Sequence, residues 1–367
     1  MFRSALSFTK SMLASVAILA SVSLASCGGQ SASPMAPAIG PAGGAYMQSQ
    51  EKVEKETIYA LSIGGANGTI SVYNAGGRLL RSITLAQIQA NDQSFFNISV
   101  GGAGLLYAQY PDFKGYGRPP GTLEIFKNQG AKKTASTQLK SRYLLLTSDS
   151  KGNAYNICAN FVACEYNKAG SRTRRIYYRH SGFGTAVAMA TDSKGDLGIT
   201  DGSGALIFAP KETGPTWEIP ANGDINAATS LAFDSTNDIY FACALPGGGV
   251  QVFTLGANSP TRIITEGVST PIQVVVDGAD NLYVLNSKGP SVTEYASGQS
   301  APERTITAGL DDPSYITVDA AGNLYVANAA SQGSGTGSIS IYSPNTTEPT
   351  QTITSGLDGP IVVQVSR

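Results

Sequence analysis

Histidine occurs once in 367 residues, at His180, and that scarcity removes whole classes of chemistry. No zinc or iron centre built on several histidines can be assembled, and a Ser-His-Asp triad would have a single base to draw on. Charge is sparse too: Asp, Glu, Lys and Arg make up 14% of the chain, against about 25% in ordinary soluble domains. The net charge is −1 and the pI near 5.9, so the total charge leaves no electrostatic footprint for nucleic acid. The sequence has no Gly-x-Ser-x-Gly elbow, phosphate-cradling loop or dinucleotide fingerprint. Past residue 24 no apolar run is long enough to span a bilayer. On these grounds no catalytic residue, metal ligand set or cofactor is predicted.

What the chain does have is glycine, 42 residues of it, with Ser, Thr, Asn and Tyr frequent throughout. Gly and Asn tolerate the positive φ angles of tight turns, so the mixture suits many short strands joined by reversals.

The N-terminus carries an address. Arg3 and Lys10 supply a positive region, and Met12 to Leu24 an apolar stretch too short to span a bilayer comfortably. It ends in Leu24-Ala25-Ser26-Cys27, which resembles a bacterial lipobox. The resemblance implies removal of residues 1–26 and lipidation of Cys27, giving a membrane partner through that lipid. A plain secretory signal that happens to hold a cysteine is the other reading. Two or more acyl chains at one site anchor stably where a single chain does not. By resemblance to Gram-negative sorting rules, Gly28 after the cysteine implies the outer membrane. The expected location is therefore the bacterial cell envelope, outside the cytoplasm. Residues 27–56, rich in Pro, Ala and Gly and ending in Glu51 to Glu56, hold too few bulky apolar groups to fold alone and are expected to be a flexible linker.

From residue 57 one pattern recurs. Gln273-Val274-Val275-Val276-Asp277 is followed by Asn281-Leu282-Tyr283-Val284, and Tyr315-Ile316-Thr317-Val318-Asp319 by Asn323-Leu324-Tyr325-Val326. Aspartates at 149, 192, 234, 277 and 319 keep a period of 42 to 43 residues, the length of a four-stranded propeller blade. The copies give an apolar first strand, an Asp-x-x-Gly-Asn turn (at Asp149 and Asp319) or a variant of it, and a return strand such as Leu-Tyr-Val. An alternating third strand such as Ser338 to Tyr342 and a polar fourth strand follow. The blade core resembles that of NHL-repeat propellers over nearly all of 57–367, strongly in the last three copies and weakly in the second, where Val100-Gly101-Gly102 replaces the Asp turn. Such a motif specifies a blade and no chemistry.

The repeat enters at Thr57 as a second strand lacking a first, and leaves at Pro360 to Val365 as a first strand lacking a second. Pairing the two would close a ring with no open edge. Residues 57–367 are thus expected to form one all-β domain, a β-propeller of about seven four-stranded blades.

Site residues follow from that topology. Loops entering first strands and leaving second strands gather on one face, where propellers customarily bind ligands. Ser62, Gln109, Asp201, Asn286 and Asn328 end second strands there, and Asp311, Asp312 and Asp358 lie in entering loops. An insertion after the second strand of blade 2 carries Tyr110, Phe113, Tyr116 and Arg118, aromatics suited either to stacking on a sugar or peptide or to packing on themselves. Cys158 and Cys164 flank a hairpin and could form a disulfide or remain two buried thiols; Cys243 is read as a buried small residue. His180 is either a surface residue or a lone base of the kind some small propeller lyases use. The Asp turns are read as structural rather than as calcium loops. Lys168, Arg172, Arg174, Arg175 and Arg179 form a basic cluster, a solvated edge or a contact for anionic glycans or headgroups. The sum is a monomeric, non-catalytic envelope lipoprotein whose propeller binds a protein or glycan and no nucleic acid. The competing reading is a metal-dependent lactonase- or lyase-type propeller.

Overall fold

The computed structural model describes residues 56–366 apart from 65–66, 88–95, 112–120, 140–144, 180–182, 221–224, 226, 245–248 and 331–335. Among those residues the chain forms seven four-stranded antiparallel sheets whose first strands neighbour one another in a ring, a β-propeller. Blade 1 is composite, with strands Pro360–Val365, Thr57–Ser62, Asn67–Asn74 and Leu79–Gln87 in that order from the axis outward. Blades 2 to 7 then run from Asn97 to Leu139, Leu146 to Tyr177, Ala188 to Ile219, Ala228 to Ile264, Pro271 to Ile306, and Pro313 to Ile353.

The second strands explain how the sheets assemble. Thr57–Ser62, Leu282–Asn286 and Leu324–Asn328 are buried along their whole length. A strand with a sheet neighbour on each edge and a blade against each face has no side left for water, so alternation disappears. Its two faces serve different interfaces: Tyr325 and Ala327 pack with residues of blade 1, Leu324 and Val326 with those of blade 6. One apolar cluster fills each of the seven interfaces, and each large side chain taken fully from water adds about 1.5 to 3 kcal/mol.

The Asp turns tie the first two strands of a blade together. In blade 7 Asp319 accepts from the Asn323 backbone and side chain at 2.8 and 2.7 Å and from the Tyr325 hydroxyl at 3.0 Å. Blades 3 and 6 repeat the set at Asp149 and Asp277, and in blade 5 Asp234 takes the Tyr240 hydroxyl at 3.1 Å. Blade 4 departs from the pattern because Asp196 and Gly198 stand where blades 3, 6 and 7 have Asn and Tyr. There Asn237 of blade 5 donates to Asp192 instead, and the Phe233 ring lies where a side chain on Gly198 would go. In blade 2, which has no Asp turn, Tyr107 donates to the Gly152 carbonyl of blade 3 at 2.6 Å.

Closure occurs as the chain ends required. Ile58 pairs with Val365, Ala60 with Val363 and Leu61 with Val362, and Thr57 and Ser366 exchange two further bonds at 2.9 and 3.0 Å. Glu56, just before this strand, lies within hydrogen-bonding reach of Asp319 and Tyr325 of blade 7. Burial first, and then the Asp319 carboxylate, hold its carboxyl protonated up to about pH 7.

Two outcomes follow. Because the Glu56 pKa is raised in the fold, its contribution to stability is full below the unfolded value near 4.5 and is lost as pH rises through about 7. Melting temperature measured across that window should therefore fall more in the wild type than in Glu56→Gln, and parallel curves would refute this. Second, Asn156 of blade 3 is fully buried with neither amide atom partnered, where Val284 and Val326 stand in blades 6 and 7. Removing an unsatisfied buried amide should gain about 1 to 3 kcal/mol, so Asn156→Val should raise the melting temperature.

Candidate functional site

The connections that leave second strands and enter first strands share one face, and the backbone there is set by a repeated device. Ala227, Thr270, Asp312 and Gly359, each just before a first strand, have φ of 54, 52, 54 and 60°. Their carbonyls accept the N–H of Ala244, Ser287, Ala329 and Ile63, each just past a second strand. The left-handed turn thus sews the entering loop to the leaving loop, which is why non-glycine residues are held there despite the strain.

Side chains on this face divide by how free they are. Asn286 is fully buried; its amide donates to Gly267 O, Ser291 Oγ and Thr293 Oγ1, and its oxygen accepts from Ser269 N at 2.8 Å. Asn328 repeats this with Gly309 O, Ser338 Oγ, Ser340 Oγ and Asp311 N. Asp201 accepts from Ser203 and Gly204 and from Gly184 of the entering loop at 2.5 Å. These three therefore hold loops in place. Asp312 is exposed. Tyr110 is half-buried and stacks on Phe96, ring centroids 6.4 Å apart. Phe113, Tyr116 and Arg118 lie outside the described residues, as do His180 and Cys27. A depression of about 220 Å³ lined by Ser62, Asn67, Thr69 and Gly356 to Asp358 lies on this face, where blades 7 and 1 meet.

The axis is polar but uncharged. No Asp, Glu, His or Cys occurs in any of the seven first strands. Their hydroxyls and amides bond blade to blade instead: Ser99 with Ser148 at 2.6 Å, Thr191 to Ser148 O at 3.0 Å, Ser314 to Pro360 O at 2.9 Å, and Gln364 to the Tyr315 hydroxyl at 2.9 Å. Gln273 bridges both ways to the Ile316 backbone. The sequence reading of these strands as mostly apolar missed this collar, whose signal was the Ser, Thr or Gln carried by each first strand, such as Ser99, Ser148, Gln273 and Gln364.

On the opposite face a depression of about 330 Å³ between blades 5 and 6 contains Asp234, Asp238, Asp280 and Arg262. Each of those carboxylates already accepts local bonds: Asp234 from Thr236 and Tyr240, Asp238 from Leu255 N, Asp280 from Ser235. Among the described residues no group of three or more His, Cys, Asp or Glu side chains is placed to hold a metal ion. Cys158 and Cys164 are disulfide-bonded, with Cα atoms 5.7 Å apart; Cys158 lies at the register shift of its hairpin. Cys243 is a buried thiol that donates to the Phe241 carbonyl at 3.8 Å.

The basic cluster proves heterogeneous. Arg174 is buried against Glu165 at 2.8 Å and donates to Ala209 O and Glu212 O of blade 4. The same fourth-strand position in later blades does the same work: Trp217 reaches Ala257 O, Arg262 reaches Gln299 O, and Arg304 reaches Ser343 O. Arg172, Arg175 and Arg179 are exposed, Arg179 lying 5.5 Å from the Phe161 ring centroid.

No protein-family model matches the chain, and no curated protein is similar to it in sequence. Among solved structures, a chain of the "Crystal Structure of Mitotic Checkpoint Complex" is similar at a TM-score of 0.56 and 13% identity, covering 74% of this chain and 84% of that one. Fold and similarity together define the class: this is a seven-bladed β-propeller.

Asn328 offers a clean test of role. If it serves the loops, Asn328→Ala should cost about 2 to 3 kcal/mol in denaturant unfolding, because Ser338, Ser340 and the Asp311 N–H lose their shared partner. An unchanged midpoint would free it for ligand contact.

Proposed function

We propose that this chain is a lipid-anchored protein of the bacterial cell envelope whose NHL-like propeller is a non-catalytic scaffold, presenting its loop face to a protein or glycan. The observation that carries the non-catalytic part is the axis: the first strands of all seven blades offer only neutral side chains there, and several of those bond to neighbouring blades. A lactonase- or lyase-type centre at the channel would need carboxylates or imidazole that these strands do not contain.

Two features support the location. The Leu24 to Cys27 lipobox-like sequence provides the anchor, and the Cys158–Cys164 bond suits an oxidising compartment. The chain also joins the ring at Thr57, at the end of the strand opposite Ser62 and the loop face, so an anchored propeller keeps its loops free of its own attachment point.

The anchor is tested by metabolic labelling with palmitate in a bacterial host. The wild type should incorporate label and sediment with membranes, and Cys27→Ala should do neither; an unlabelled wild type sinks the reading. For the scaffold, capture of an envelope glycan or protein by residues 52–367 should be lost in Asp312→Arg, and capture that survives moves the contact off the loop face.

A further inference from the structure

The net charge of −1 conceals a separation. Residues 57–182 hold fifteen Lys and Arg against five Asp and Glu, while residues 183–367 hold six against eighteen. In the ring this division falls between blades 3 and 4, so the outer strands of blade 1 with blades 2 and 3 are basic, and blades 4 to 7 acidic. A molecule so divided has a large dipole, which orients it in the field of an extended charged surface far more than near a small ligand.

The basic side is also built differently at its rim. The fourth strands of blades 1 to 3 run nine, eight and six residues, whereas those of blades 4 to 7 run only three. The carboxylates of blades 2 and 3 among the described residues are engaged: Glu124 with Lys133, Glu165 with Arg174, and Asp149 within its turn. That leaves Lys127, Lys132, Lys168, Arg172, Arg175 and Arg179 exposed around the rim, with the exposed Tyr177 among them. Edge protection accounts for cations, lysine above all, on the fourth strands themselves; Lys127, Lys168 and Arg179 lie outside those strands and keep the same sign.

We propose that the outer rim of blades 2 and 3 docks on an anionic lipid surface. This rests on the anchored reading for its setting: the anchor would enter at Thr57 in blade 1, next to blade 2, after about thirty residues of linker, so rim and bilayer would meet at a high effective concentration. Cationic side chains near such a surface gain electrostatic attraction that fades within a Debye length. The acidic side, repelled by the same surface, fixes which rim faces it.

The test uses residues 52–367, which contain the whole closed ring and form one compact unit without Cys27, so its failure is separable from that of the anchor. Co-sedimentation is measured with vesicles of pure phosphatidylcholine and with vesicles containing about 30% phosphatidylglycerol. Binding is expected only to the anionic vesicles, weakening about tenfold or more between low and high salt. The triple variant Lys132→Glu, Arg172→Glu, Arg175→Glu should lose it, whereas Lys194→Glu with Lys211→Glu on the acidic side should keep it, both with unfolding curves matched to the parent. Equal binding to both vesicles, binding to neither, or a salt-insensitive complex would overturn the proposal. Retention of a soluble polyanion such as heparin without vesicle binding would overturn it in favour of a glycan.

Discussion

Everything in this molecule depends on one strand pair. Thr57–Ser62 must be flanked on the axial side by Pro360–Val365, or blade 1 has three strands and an open inner edge. The consequence reaches all seven interfaces, because each blade is held by two neighbours and a ring with one loose blade has two loose joints. The closing pair is accordingly reinforced: Thr57 and Ser366 exchange backbone and hydroxyl bonds, Gln364 reaches across to Tyr315, and Ser62 accepts from Asp358 N at 3.3 Å.

The joints are strengthened by polar devices laid over the apolar clusters. In blades 6, 7 and 1 the third strand carries Thr293 with Tyr295, Ser340 with Tyr342, and Ser71 with Tyr73. Each pair donates to two successive carbonyls just past the fourth strand of the preceding blade. At the rim, Arg174, Trp217, Arg262 and Arg304 reach forward to the next blade. One set points back and the other forward, so the blades resist sliding in both directions. Hydrogen bonds like these add about 1 kcal/mol each, but they are directional and so fix the angle between blades, which hydrophobic burial does not.

Much of this was legible in the sequence because a blade is a local structure repeated. The aspartate period gave the blade length, and the two half-blades at Thr57 and Pro360 gave closure and number. The site was legible only in part. Asn286 and Asn328 were rightly placed at the ends of second strands, but nothing in one sequence distinguishes an amide turned to solvent from one saturated by its own loops. The forward-reaching Arg174 looked like one cation of a surface cluster, since its burial comes from a carbonyl pair in the next blade. The charge division was readable and hidden by its own sum: a count over the whole chain cancels what a count by blades reveals.

The closing pair also imposes an order of events. Thr57 and Ser366 lie 309 positions apart in the chain, and nearly all other strand pairs join neighbours in sequence. The first strand synthesised for the ring is thus the last to gain its axial partner, and six blades can form while it waits. Contacts this distant are slow to form by chance encounter. Until the join is made, the exposed edge of Thr57–Ser62 is the place where a growing chain of this kind can be captured by a chaperone or mispair with a second copy.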